Sequence, residues 1–260
     1  MPWQRVGRGF AIQSAAWQVS ATPEFPDQGL SVAFTDADPP QVIHKLLEVQ
    51  PTLGLPELPA TGAPSTPINV GADQLGLELV ETVVRGHDLI CHYGEGHVCP
   101  FQTQLDWRYI PPVPDAGRFD QLTLELWLSL QTSRLECYPA LRLLCPAAAL
   151  RSAAATGDAE GSGQLWELEL PVGGQSLWGY VLTDPEDPQA VQIVSPSPVV
   201  GAEAGDEPGG FQLHVLGSFL EKGVIRRTRI RLILSGKPLS ETERLHAVEH
   251  FSKAPLPLTA

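Results

Sequence analysis

The sequence predicts an all-β protein, a large and mainly antiparallel β-sandwich with one short helix near the N-terminal third and another at the C-terminus. Three observations predict it. Apolar and polar residues alternate strictly in several runs, which is the period of a half-buried strand. The chain carries 25 Pro and 24 Gly in 260 residues, a density that marks many short elements and opposes long helices. The alternation of strands with long helical patterns that builds a parallel sheet is missing.

The elements can be taken in order. Ser31 to Phe34 is a short strand. Asp38-Pro39-Pro40 has the acid and the prolines of a helix start, and Pro51 would stop a helix covering roughly residues 39 to 49. Leu75 to Glu81 alternates, and strands are also expected over His87 to Tyr93 and His97 to Tyr109. The clearest run is Leu122, Leu124, Leu126, Leu128 and Leu130, whose leucines share one face while Thr123, Glu125, Trp127 and Ser129 share the other. Gln164 to Leu170, Ser176 to Leu182, Ala190 to Val194, Phe211 to Leu220 and Gly223 to Leu234 complete the strands. Ser240 and Glu243, three apart, form a capping box, so a helix should run from 241 to about 252 and end before Pro255. Residues 59–67, 147–163 and 195–210 read as surface loops, the second being a candidate boundary within an otherwise single domain of residues 1–260.

Thirty acidic against 17 basic residues give a formal net charge of −13. Such a field repels nucleic-acid phosphates and anionic membranes, so neither is an expected partner. Met1 to Phe10 has no continuous apolar stretch of signal-peptide length, and no later run is long enough to span a bilayer. The expected location is the cytoplasm, with Cys91, Cys99, Cys137 and Cys145 reduced.

The runs Val84 to Leu89 (VRGHDL) and Leu220 to Arg227 (LEKGVIRR), with the ending Ala254 to Thr259 (APLPLT), resemble a family of uncharacterised bacterial proteins. The resemblance covers most of the chain. It implies a bacterial, single-unit protein and assigns no activity, cofactor or catalytic residue.

No nucleophile elbow, phosphate-binding loop, dinucleotide fingerprint or paired C-x-x-C is present, and no catalytic residue or cofactor is expected. Four constellations remain. His246-Ala247-Val248-Glu249-His250 matches the H-x-x-E-H zinc form, but only ten residues follow and none is a carboxylate, His or Cys. Gly94-Glu95-Gly96 reads as a three-residue hairpin loop that would set Cys91 opposite Cys99 and place Cys91, His97 and Cys99 with His87 on one face. Two thiolates and an imidazole suit zinc, while the same residues also suit ordinary packing. The six tryptophans fit either sugar stacking or burial, and Trp127 lies on the polar face of its strand. Finally, Arg227, Arg229 and Arg231 form a ladder on one strand face. They are candidates for an anion or ligand site, or for cross-strand pairs with glutamates such as Glu78, Glu167 or Glu169.

The reading that follows is a non-enzymatic β-sandwich that binds an unknown protein or small-molecule ligand or serves as a scaffold. The alternatives are an enzyme acting on a sugar or other small polar molecule at a concave sheet face, and a metal-binding hairpin protein. Oligomeric state stays open.

Overall fold

A computed structural model describes residues 3–14, 17–34, 41–53, 76–97, 99–111, 121–145, 162–169, 176–183, 189–194, 199–204, 211–235 and 240–253; for 162–212 it describes the backbone alone. Its strands form three antiparallel sheets. The first joins, in chain order, β1 (Gln4–Val6), β2 (Gly9–Gln13), β3 (Trp17–Ala21), β4 (Leu30–Phe34) and β5 (Gln41–Leu46). Next along the chain are β6 (Glu48–Leu53), β7 (Glu78–Arg85), β8 (Asp88–Gly94), β9 (Gln102–Ile110), β10 (Gln121–Gln131) and β11 (Pro139–Cys145). Then follow β12 (Ser162–Glu169), β13 (Ser176–Thr183), β14 (Gln189–Val194), β15 (Val199–Ala204), β16 (Phe211–Val215) and β17 (Ile225–Ser235). The largest sheet has the order β12-β13-β14-β17-β10-β9-β8-β7, and the third β15-β16-β11-β6. The C-terminal helix α1 spans Glu241–Lys253. The sequence-predicted fold class is the observed one.

Strand β10 sits near the middle of the largest sheet because its pattern satisfies two neighbours at once. Leu122, Leu124, Leu126 and Leu128 face Leu234, Leu232, Ile230 and Thr228 of β17. All five leucines of β10 are buried. On that side they join Leu89, Leu105 and Trp107 of the same sheet with Val19, Val32, Val49, Leu141 and Val215 of the two smaller sheets in one continuous core. Burying each such side chain contributes roughly 1.5–3 kcal/mol, so this layer is the main source of stability.

The expected helix near residues 39 to 49 is not there. Val42, Ile43 and their neighbours extend as β5, with Ile43 opposite Val32 of β4. The β-branched pair suits a pleated edge better than a helix. Leu47 takes a left-handed φ of 54° that swings the chain from one sheet to the next, a path no helix allows. Gly29 faces this corner, and a Cβ there would lie 2.4 Å from the Leu46 carbonyl oxygen. The predicted loop at 195–210 contains β15, paired to β16 through a bulge between Val199 and Gly201. The loop at 59–67 and nearly all of the candidate boundary at 147–163 lie outside the described residues. Strands β1, β2, β3, β6 and β11 were not foreseen.

Replacing Leu126 by Ala opens a cavity in the centre of this layer. Stability in urea should fall by about 3 kcal/mol with an unchanged denaturant slope. A loss below about 1 kcal/mol would mean that the leucine face is not the core.

Candidate functional site

The pleat that buries the leucines turns the other residues of β10 to the opposite face of the large sheet. Registers across β7, β8, β9, β10 and β17 align that face into rows. One row is Glu81, His92, Gln104, Ser129 and Arg227; the next is Val83, Ile90, Asp106, Trp127 and Arg229. The third is Arg85, Asp88, Arg108, Glu125 and Arg231, in which charge alternates from strand to strand. Opposite charges in direct cross-strand register attract, so the row reinforces the register.

The charges interlock further. Arg108 donates from Nε and Nη2 to Asp106 Oδ2 at 2.9 and 2.7 Å, and its guanidinium lies 3.4 Å from the Trp127 ring centre. Trp127 Nε1 donates to Glu125 Oε2 at 3.0 Å, leaving Oε1 to accept from Arg231 Nε at 2.9 Å. Burial pushes the Asp106 carboxyl above its usual range, against the pull of Arg108.

Helix α1 covers part of this face. Its start is the foreseen capping box, with Ser240 N donating to Glu243 Oε2 at 2.7 Å and Glu243 N to Ser240 Oγ at 3.3 Å. Its far end carries Phe251, buried against the guanidinium groups of Arg229 and Arg231, whose central carbons lie 4.3 and 5.1 Å from the ring centre. Arg229 also donates to the Phe251 carbonyl. Arg231 Nη1 lies 3.5 Å from the Ala247 carbonyl and 3.1 Å from His250 Nδ1. Cations at the carbonyl end of a helix are favourably placed.

The predicted arginine ladder is therefore divided. Arg229 and Arg231 are 3% and 5% exposed and pin the helix to the sheet. Among the described side chains the carboxylate partner of Arg231 is Glu125 on the neighbouring strand; the side chains of Glu167 and Glu169 lie outside the described set. Arg227, one row further on, lines a groove of about 300 Å³ together with His92, Gln102, Gln104, Ser129 and Gln131. Val80 and Ile225 lie at the same groove. Among the described residues no carboxylate lines it. Each of these residues is common alone, and only the register of five strands assembles them.

The cysteine hairpin has a different register from the expected one. Cys91 pairs with Leu105 and Tyr93 with Thr103, because β9 begins at Gln102. Pro100 cannot supply a ladder donor, and Glu95 is drawn away to Ser133, accepting from its N and Oγ at 2.8 Å. Cys99 sits in the connecting loop and donates to the Phe101 carbonyl at 3.3 Å, while His97 is exposed. Among the described residues no three His, Cys, Asp or Glu side chains gather to hold a metal. Cys91, Cys99 and Cys137 are unbridged. Desolvation pushes the Cys91 thiol up to about 12 and the Cys99 thiol up to about 11. Burial in apolar surroundings favours their thiol form.

In the H-x-x-E-H segment, His250 meets Arg231, and Glu249 accepts from Lys253 at 2.5 Å. Trp3, Trp17 and Trp107 are buried, and Trp127 is half-buried under Arg108. The side chains of Trp166 and Trp178 lie outside the described set. Among the described residues no helix is long and apolar enough to cross a membrane. No protein-family model matches the chain, and no curated protein matches it.

Two outcomes follow from this geometry. Glu125→Leu alone should cost about 3–5 kcal/mol by stranding the buried Arg231, and adding Arg231→Met should recover most of it, read by denaturant unfolding. A second substitution that recovers nothing would show that the pair is not a unit. The thiols set an alkaline limit. An unfolded thiol loses its proton near 9.0, whereas folded Cys91 keeps it to about 12. Above pH 9 the unfolded chain therefore binds fewer protons, and stability falls as pH rises towards 12. Buried Tyr93 is shifted in the same sense. Cys91→Ala should flatten the fall in melting temperature between pH 9 and 11. An identical slope would exclude the thiol as its source.

Proposed function

We propose that this chain is a non-enzymatic β-sandwich binding protein, and that its groove takes a small polar ligand bearing a carboxylate. The observation that carries the proposal is the lining: three glutamine amides, a serine hydroxyl and an imidazole around one guanidinium. Amides both donate and accept, which suits hydroxyl groups, and a guanidinium fork matches a carboxylate. A volume of about 300 Å³ fits a single small molecule. The net charge of −13 provides no long-range attraction for an anion, so recognition rests on direct contacts in the groove.

A sugar hydrolase needs two carboxyl groups flanking its bond, and none of the described residues in the lining provides one. On this face Glu81 stands in register with His92 and is exposed at the sheet edge, while Asp106 and Glu125 are engaged by Arg108 and Arg231. Three unbridged, buried thiols favour a reducing compartment, which supports a cytoplasmic location.

Calorimetric titration with glucuronate, galacturonate and gluconate, against glucose as the neutral control, tests the proposal. At least one acid should bind, and Arg227→Ala should weaken it by about 1.5–3 kcal/mol, the size of a hydrogen bond to a charged group. Binding indifferent to Arg227→Ala, or no binding of any acid at millimolar concentration, would sink the idea.

A further inference from the structure

Strand β7 closes one side of the largest sheet, and among the described residues no strand pairs with its outer edge. Such an edge is a template for another strand, and proteins that must stay single guard it with charged side chains, lysine above all, proline, a bulge or a very short strand. β7 has neither lysine nor proline and is not short; it does carry charges and a bulge. It is eight residues long, reads ELVETVVR, and exposes Val80, Val83 and Val84 at 70%, 37% and 38%.

Its one irregularity is a bulge. Leu79 faces Tyr93 and Glu81 faces His92, so Val80 is the extra residue. Val80 extends over Gly94, where a Cβ would come within 3.0 Å of its Cγ2, and reaches the groove. With Val80 set aside, the pairing positions are Glu78, Leu79, Glu81, Thr82, Val83, Val84 and Arg85, and Thr82 is their midpoint.

We infer that a second copy of this chain pairs with β7, antiparallel, about a two-fold axis at Thr82. A two-fold normal to the sheet needs a residue opposite itself at its centre, and skipping the bulge supplies one. Thr82 then faces Thr82 of the other copy, Glu81 faces Val83 and Leu79 faces Val84. Glu78 of each copy faces Arg85 of the other. Faces agree as well: Leu79, Thr82 and Val84 lie on the core side, and Glu78, Glu81, Val83 and Arg85 on the outer side. Leu79 already packs on the core, so its meeting with Val84 extends that layer.

The charged row supplies the complementarity. From Arg231 it runs through Glu125, Arg108 and Asp88 and ends on positive Arg85, whose nearest acid, Asp88, is 3.8 Å away. Glu78 of a second copy continues the alternation across the boundary, twice by symmetry. The occupant that fits this edge is therefore the chain itself. The pairing does not depend on what fills the groove.

Sedimentation equilibrium across the micromolar range reads the result. The wild-type chain should dimerise reversibly. Glu78→Arg sets two arginines opposite each other, and Arg85→Glu sets two glutamates opposite each other, so each variant should dissociate roughly tenfold more readily. Mixed together, the two variants restore both pairs and should form a heterodimer at wild-type strength. Thermal unfolding of each variant confirms that it is folded. A wild-type chain that stays monomeric, a dimer indifferent to Glu78→Arg, or a folded mixture that fails to recover would each overturn the proposal. So would monomers that instead capture a synthetic strand peptide unrelated to ELVETVVR.

Discussion

Five strands meet in one row at Arg85, Asp88, Arg108, Glu125 and Arg231, and the rest of the molecule depends on that register. Slipping any strand by one residue would set leucines on the charged face and charges in the core. It would also put like charges opposite each other or leave an arginine without its acid. The hydrophobic layer supplies most of the free energy, but it is non-directional and would accept several registers. The alternating charges discriminate between them. Here the buried polar groups act through specificity more than through strength, since a buried ion pair contributes little net stability against its desolvation.

This division accounts for what was legible in the sequence. The leucine face of β10 and the Ser240–Glu243 cap were readable because each is a local pattern whose meaning survives in any surrounding. The β5 segment misled because its helix signals, an acid and two prolines, are starting signals only. Its fate was decided by pairing with β4 and by the left-handed turn at Leu47. The cysteine hairpin misled for a related reason. A Gly-Glu-Gly loop is compatible with several lengths, and the choice fell to a contact between Glu95 and Ser133, 38 residues apart. Register set by distant partners leaves no local trace.

The arginines illustrate the same limit at the site. Their shared face followed directly from the period of a strand, but identical chemistry acquired two roles from position along that strand. Arg229 and Arg231 fall beneath α1, where helix carbonyls and the Phe251 ring replace water around them. Burial disfavours the charge on Arg229, and Glu125 opposes that effect. Arg227 falls beyond the helix and beside the glutamines. Nothing in the order Arg-Thr-Arg-Ile-Arg distinguishes the three, because what separates them is a helix that begins later in the chain. The groove was overlooked as a whole. Its residues come from five strands, and no two of the glutamines occupy a spacing that signals chemistry.

Groove and edge are connected through Val80. The bulge that makes it the extra residue of β7 has two effects: it turns an exposed valine towards the polar groove, and it moves the pairing midpoint onto Thr82. If Val80 paired in register, Glu78 and Arg85 would stand seven positions apart, an odd number with no residue at its centre, and no two-fold pairing would bring them face to face. Its removal should therefore affect both features together. Bulges at sheet edges commonly serve to end pairing. In β7 the same device creates the symmetry that a self-pairing strand requires, and it does so beside the groove.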